Sequence, residues 1–210
     1  MRTSNILVIT YLFVMFASLA VFYFDGMRHS AKFRRQKEEQ IKALPSLYKS
    51  KMDLPKFTVI ADTAGHSFSV TSGKKNQLSI IAGETEFPDL YSVRNDTLYI
   101  NSIPEGGTVE IFCEDIRAIV SKKGKAIHIS DLSLEMLSLK LEKSSVSIRN
   151  ATIDRLELDM KDDARCDANN IKVKVLKGKL YNSYFETHSS KISYSEMEQT
   201  GNREHNIKMY

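Results

Sequence analysis

Residues 137–180 read LSLKLEKSSVSIRNATIDRLELDMKDDARCDANNIKVKVLKGKL, and this stretch decides the fold. Leu137, Leu139 and Leu141 alternate with polar residues. Leu156, Leu158 and Met160 repeat the pattern, and Leu176, Gly178 and Leu180 repeat it again. Side chains at i, i+2 and i+4 share one face of a strand. Each triplet leads through a polar turn to a second short run: Ser145-Val146-Ser147-Ile148, Ala164-Arg165-Cys166 and Tyr184-Phe185-Glu186. An Asn- or Ser-bearing turn then brings an apolar return at Ile153, Ile171 and Ile192, each roughly a dozen positions after its triplet ends.

A spacing of about 19–20 residues with several short strands per repeat is what a β-solenoid coil requires. Equivalent side chains stack from coil to coil and fill a narrow core, while the polar turns stack outside. An antiparallel sandwich also has frequent short strands, but nothing in it holds one spacing. The expected fold is all-β, a short single-stranded β-helix, with a less regular earlier coil that includes Ile116, Ile119, Ile127 and Ile129. Upstream of it, Phe57-Thr58-Val59-Ile60, Phe68-Ser69-Val70-Thr71, Leu78-Ser79-Ile80-Ile81 and Thr97-Leu98-Tyr99-Ile100 read as further strands. Breaks such as Ser72-Gly73-Lys74-Lys75-Asn76 and Arg94-Asn95-Asp96 separate them.

The N-terminus has a different texture. Ile6 to Phe24 reads ILVITYLFVMFASLAVFYF, without one charge. As a helix it spans about 28 Å, close to the roughly 30 Å hydrocarbon core of a bilayer. Ser18-Leu19-Ala20 offers a small-x-small cleavage site, but the apolar run continues through Val21-Phe22-Tyr23-Phe24, which suits an uncleaved anchor better. The sequence therefore predicts a short N-terminal tail (1–5), a transmembrane helix (6–24), a basic juxtamembrane helix or linker (25–50), a β-solenoid domain (55–200) and a C-terminal tail (201–210).

Charge is distributed accordingly. Residues 1–44 hold seven basic and three acidic residues, which leaves 23 of each sign in 45–210. The carried domain is formally neutral. Nucleic-acid binding is disfavoured, because phosphate neutralisation demands a basic excess. Arg28, Lys32, Arg34, Arg35 and Lys37 follow the apolar segment and suit contact with anionic lipid headgroups. The positive-inside rule alone would place the C-terminal domain in the cytoplasm.

The residues in 57–195 resemble a known family, the head GIN domain or putative auto-transporter adhesin family, common in cell-envelope proteins of the Bacteroidetes. The resemblance rests on three features. One is Phe68-Ser69-Val70-Thr71-Ser72-Gly73 leading to Asn76 and Ile80. The second is Tyr91-Ser92-Val93-Arg94-Asn95-Asp96-Thr97-Leu98-Tyr99-Ile100. The third is the coil repeats with the late Asn182-Ser183. It implies a β-helical fold, an extracytoplasmic location and no established biochemical activity. The chain departs from the type in carrying an anchor helix and a basic stalk where a cleavable or lipidated signal would stand. The expectation is a bacterial inner-membrane, single-pass protein with its C-terminal domain in the periplasm; the cytoplasmic orientation is the alternative.

Motifs for chemistry are scarce. Asp159, Asp162, Asp163 and Asp167 form the densest acidic cluster and set up the one catalytic alternative, a glycan-active β-helix enzyme. Carboxylates lined up on one face of adjacent coils would favour that enzyme, and scattering around turns would favour a binding module. His29, His66, His128, His188 and His205 have no paired spacing, and no GxSxG, Walker or GxGxxG motif occurs. Lys122-Lys123-Gly124-Lys125 reads as a solvated basic turn. Cys113 and Cys166, far apart and outside any CxxC motif, read as separate buried thiols. No catalytic, cofactor or metal residue is assigned, and no cofactor is expected. The favoured function is a membrane-anchored, non-catalytic envelope module that presents a rigid β-helical surface to a protein or glycan.

Overall fold

Strand formation follows the period-2 pattern almost residue for residue. The computed structural model describes residues 48–82, 89–103, 106–201 and 207–209. The predicted membrane helix at 6–24 and the basic stretch up to residue 47 lie outside the described residues. Among the described residues no helix is long and apolar enough to cross a membrane.

The first strands are β1 (Tyr48–Asp53), β2 (Val59–Asp62), β3 (Ser67–Ser72), β4 (Gln77–Ala82), β5 (Tyr91–Arg94), β6 (Thr97–Ile100), β7 (Thr108–Cys113), β8 (Ala118–Lys122) and β9 (Ala126–Ser130). Then the pattern becomes regular. Long strands β10 (Ser133–Glu142), β12 (Thr152–Lys161), β14 (Lys172–Tyr181) and β16 (Lys191–Thr200) alternate with short strands. These are β11 (Ser145–Arg149), β13 (Arg165–Asn169), β15 (Tyr184–His188) and β17 (Ile207–Met209). β1 begins upstream of the predicted start at residue 55, and β17 falls within the predicted C-terminal tail.

Two sheets result. The long strands belong to one, in the order β16-β14-β12-β10-β8-β2-β6-β5, and the short strands to the other, in the order β1-β4-β7-β3-β9-β11-β13-β15-β17. Each regular turn of the solenoid is one long strand, a corner, one short strand and a second corner, giving four such turns from β10 to β17. All pairings among them are parallel.

The core is a set of columns. Ile119, Leu139, Leu158, Gly178 and Met197 stand in register across the long-strand sheet. Phe68, Ile127, Val146, Cys166, Phe185 and Ile207 do so across the other. Ile119, Leu139, Ile127, Cys166 and Phe185 are fully or almost fully buried. At about 25 cal/mol per Å² of apolar surface, such columns are the main favourable term in folding. The earlier coil predicted around Ile116–Ile129 is present as β8 and β9. One sequence alignment is corrected. Ile153 and Ile192 stack with Val173, not with Ile171, which sits at the corner just before β14. The return and the next triplet lie on one bent strand, so each coil has two strands where the sequence suggested more. The burial pattern of β10 shows the bend: Leu134 and Leu137 are both inward, with Glu135 and Met136 outside.

Corners need left-handed backbone. Asp131, Asn150, Asn170 and Ser189 have φ of 56°, 51°, 53° and 49° at one corner; Lys143, Asp162, Asp163 and Asn182 occupy it at the other. Asn and Asp tolerate that region because their short polar side chains bond locally. Here they also bond one another, since Asn170 Nδ2 donates to Asn150 Oδ1 (2.8 Å) and Asn150 Nδ2 to Asp131 Oδ1 (3.4 Å).

The N-terminal end is wound differently. The β2–β3 coil lies between the β6–β7 coil and the β8–β9 coil, so the chain visits this end out of stacking order. Antiparallel strands then close it: β4 on β7, β1 on β4, and β5 on β6. Asp62 is fully buried at the β2–β3 corner. Its carboxylate accepts hydrogen bonds from the N–H groups of Ala64, Gly65 and His66, and from His66 Nδ1 at 2.9 Å.

Candidate functional site

The acidic cluster does not assemble. Asp159 projects outward from β12 on the long-strand sheet, between buried Leu158 and Met160. Asp162 and Asp163 form the left-handed corner. Asp167 projects outward from β13 on the other sheet. Packed sheets lie about 10 Å apart, and these two carboxylates point away from each other. That exceeds the roughly 5–9.5 Å that a glycosidase carboxylate pair spans. Asp167 is also engaged, accepting from Arg165 Nε at 2.9 and 3.0 Å. Beside it the Tyr184 hydroxyl donates to Glu186 (2.7 Å), and Arg165 lies over the Tyr184 ring at 5.3 Å. The bond from Tyr184 holds the Glu186 carboxyl below its usual range, and the same bond raises the Tyr184 phenol.

Asp159 belongs instead to a surface that the sequence reading missed. Outward residues of the long-strand sheet align in columns across the coils. One column is Ser138, Glu157, Lys177 and Glu196; the next is Lys140, Asp159, Lys179 and Glu198; a third is Lys122, Glu142, Lys161 and Tyr181. Signs alternate down each column. Strand neighbours are about 4.8 Å apart, so opposite charges on adjacent rungs attract. Lys177 bonds Glu196 at 2.6 Å, Lys179 lies 3.6 Å from Glu198, and Lys122 lies 3.7 Å from Glu142.

Between the columns run troughs parallel to the solenoid axis. The first, of about 360 Å³, lies between the first two columns, with Leu158 and Gly178 completing its lining. The second lies between the second and third columns and has two segments of about 220 and 270 Å³. Asp159 lines all three spaces. Gly178 keeps its place in the core column because the Met197 side chain fills the space that a Cβ would take, with Sδ 2.6 Å from it.

This face carries carboxylates on both sides of a trough, so acid–base chemistry needs testing against it. A glycosidase acid must hold its proton near neutral pH, which takes burial or a like charge. At Glu196 the opposite holds, since the hydrogen bond from Lys177 keeps its carboxyl below the usual range. Among the described residues no group of three or more His, Cys, Asp or Glu side chains is placed to hold a metal ion. The arrangement suits polar recognition along a rigid, regularly spaced surface.

The remaining sequence candidates fall elsewhere. Cys113 and Cys166 are separate, free and buried. Burial pushes the Cys113 thiol up to about 12, with Asp115 adding to the effect, and raises Cys166 as well. His66 serves Asp62, and His128 and His188 are outward on the short-strand sheet. His29 and His205 lie outside the described residues. Lys123 of the basic turn is a left-handed corner residue, with φ of 61°.

No protein-family model and no curated protein matches the chain. Among solved structures it is similar to a putative adhesin from Bacteroides fragilis, at 15% identity and a TM-score of 0.46, over 79% of this chain and 99% of that one. A putative adhesin from Parabacteroides merdae is similar at 10% identity and a TM-score of 0.40, over 78% and 96%. A putative lipid-binding protein from Parabacteroides distasonis is similar at 13% identity and a TM-score of 0.31, over 78% and 96%.

Proposed function

We propose that this chain is a membrane-anchored, non-catalytic envelope module of the head GIN, adhesin-like kind, and that its binding surface is the outer face of the long-strand sheet. The observation that carries this reading is the pair of axial troughs walled by charge-alternating columns around Asp159. Parallel stacking holds those side chains at fixed spacing, so a partner with repeating polar groups, an envelope glycan or an extended protein segment, meets a pre-organised array and little ordering is needed. The apolar segment 6–24 anchors the module, with basic residues 28–37 at the headgroups and the solenoid on the periplasmic side.

Two experiments test this. The first screens the full chain and its Glu157→Lys/Asp159→Lys variant against a panel of envelope glycans and envelope protein extracts. Binding by the parent that is lost in an equally stable variant supports the face; identical profiles remove it. The second fuses a reporter active only outside the cytoplasm after residue 210. Activity is expected, and a silent, well-expressed fusion reverses the orientation.

A further inference from the structure

The two ends of the solenoid are finished differently. Three antiparallel strands close the N-terminal end, whereas β16 pairs with β14 on one side and, among the described residues, with nothing on the other. It is a ten-residue edge without Pro or Gly, and eight of its residues are exposed. Such an edge presents a row of unpaired N–H and C=O groups, which natural sheets normally shorten, cover or break.

The side chains state what this edge accepts. Two outward columns run Glu157, Lys177, Glu196 and Asp159, Lys179, Glu198, so both end on a carboxylate and the next rung in each is cationic. On the inward side, Ser195 and Gln199 stand in register with Leu176 and Leu180 of β14. Two core columns thus turn polar at this end, while Ile192 and Met197 end the other two, packed against the core. A second copy of β16 is the poorer fit. Antiparallel self-pairings that keep nine or ten of its residues set Glu196 opposite Tyr194, Ser195 or Glu196 and Glu198 opposite Ile192, Ser193 or Tyr194, so none brings a cation to either carboxylate.

We propose that β16 is a strand-addition site for an extended segment of a partner protein that carries basic side chains at two alternate positions, opposite Glu196 and Glu198. Main-chain hydrogen bonds supply the affinity and the two cations set the register. The site shares Glu196 and Glu198 with the end of the trough face, and main-chain protection of residues 191–200 is what distinguishes strand addition from binding in a trough.

The test uses the full-length chain in detergent and a synthetic peptide with the β14 sequence, KVKVLKGKLY, whose lysines at the sixth and eighth positions already face Glu196 and Glu198 within the fold. A second peptide has glutamate at those two positions, and a third is N-methylated at alternate amides. The first peptide is expected to bind saturably and to slow hydrogen exchange in residues 191–200. The glutamate peptide should bind about tenfold more weakly, since two attractive cross-strand pairs become repulsive. The N-methylated peptide should not bind. Glu196→Gln/Glu198→Gln should abolish the discrimination between the first two while keeping the fold, as judged by circular dichroism. Equal binding of the first two peptides by the parent chain, or no protection of residues 191–200, overturns the proposal. So does self-association of the chain that protects those residues without peptide, because the occupant is then a second copy.

Discussion

The turns from β10 to β16 advance by a near-constant step, with long strands opening at Ser133, Thr152, Lys172 and Lys191, and they stack in chain order. The strands from β1 to β7 do neither. The regular part is held by repetition. Each inward residue sits between its equivalents on neighbouring coils, and at one corner Asp131, Asn150 and Asn170 bond in succession. The irregular part is held by single, unrepeated solutions, such as the buried Asp62 carboxylate with its cage of backbone donors and a set of antiparallel strands closing the end. Repetition spreads the stability over many similar contacts. A unique corner concentrates it in a few atoms, and the two regions should respond differently to the same kind of damage.

The largest difference is expected at Asp62. Asp62→Ala leaves three backbone N–H groups and His66 without their acceptor in a buried corner, which should cost about 3 kcal/mol or more in denaturant unfolding. Asp159→Ala, in the regular part, should leave the midpoint unmoved. Equal losses for the two would erase the distinction drawn between unique and repeated solutions.

Two glycines make a sharper pair. Gly65 has φ of +85°, and a Cβ there would lie 2.5 Å from the Lys123 carbonyl oxygen, which belongs to backbone and cannot yield. Gly65→Ala should therefore cost about 2–3 kcal/mol. At Gly178 the obstructing atoms are the flexible end of Met197. Gly178→Ala should change stability by less than about 1 kcal/mol, because Met rotates aside and Ala loses less backbone entropy on folding than Gly. Thermal denaturation of both variants decides the matter.

The two thiols place one probe in each region, Cys113 on β7 and Cys166 on β13. Both are raised by burial, Cys113 from an ordinary 9.0 to about 12. The folded thiol keeps its proton after the unfolded one has lost it. Stability from this source is therefore complete below about pH 9, falls as the pH rises, and for Cys113 stops falling near 12. The expected slope is about 1.4 kcal/mol per pH unit for each thiol. Replacing one cysteine by alanine should lower the slope by about 1.4 kcal/mol per pH unit between about pH 9 and 11, whichever region it comes from. A slope unchanged in either single variant would mean that the thiol removed is not buried in solution.

The smallest contrast between two variants is expected within the asparagine ladder. Asn170→Ala puts a Cβ-bearing residue without local bonding at φ of 53° and removes the bond to Asn150, for a loss of about 1–2 kcal/mol. Asn170→Gly should recover the conformational part and lose only the bond. If the two variants are equally unstable, the ladder bond and not the backbone is what Asn170 contributes.

The sequence pattern carried the regular part almost completely. The triplets at Leu137, Leu156 and Leu176 and the second runs at Val146, Cys166 and Phe185 fell in register as the spacing predicted. The misplacement of Ile171 has a simple origin. Corner lengths vary by one residue, with Asp162-Asp163 occupying a place that Lys143 fills alone, so counting from the end of a triplet drifts. The N-terminal winding was out of reach for another reason: its strands match the same period-2 pattern, but their pairing partners are set by contacts distant in the chain. The trough face was half visible. Its charges recur in the sequence at the coil spacing, yet they become columns only when the register is known. The acidic residues scatter, the outcome that favours a binding module, because closeness along a coil is not closeness across it; two strands of one coil face opposite sides of the core.

What the sequence determined alone was the kind of object. Apolar residues at i, i+2 and i+4, recurring at the length of one coil, can bury themselves only by stacking on their own equivalents, and that forces a β-solenoid. The uncharged 6–24 segment is equally explicit about its preference for a hydrocarbon environment. Only the tertiary structure decided where the surface chemistry lies. Pairing register turned scattered lysines and carboxylates into alternating columns, sent Asp159 and Asp167 to opposite faces, and left β16 at an edge. Burial is a property of each residue's own pattern, whereas adjacency on a sheet depends on which strands the whole chain brings together.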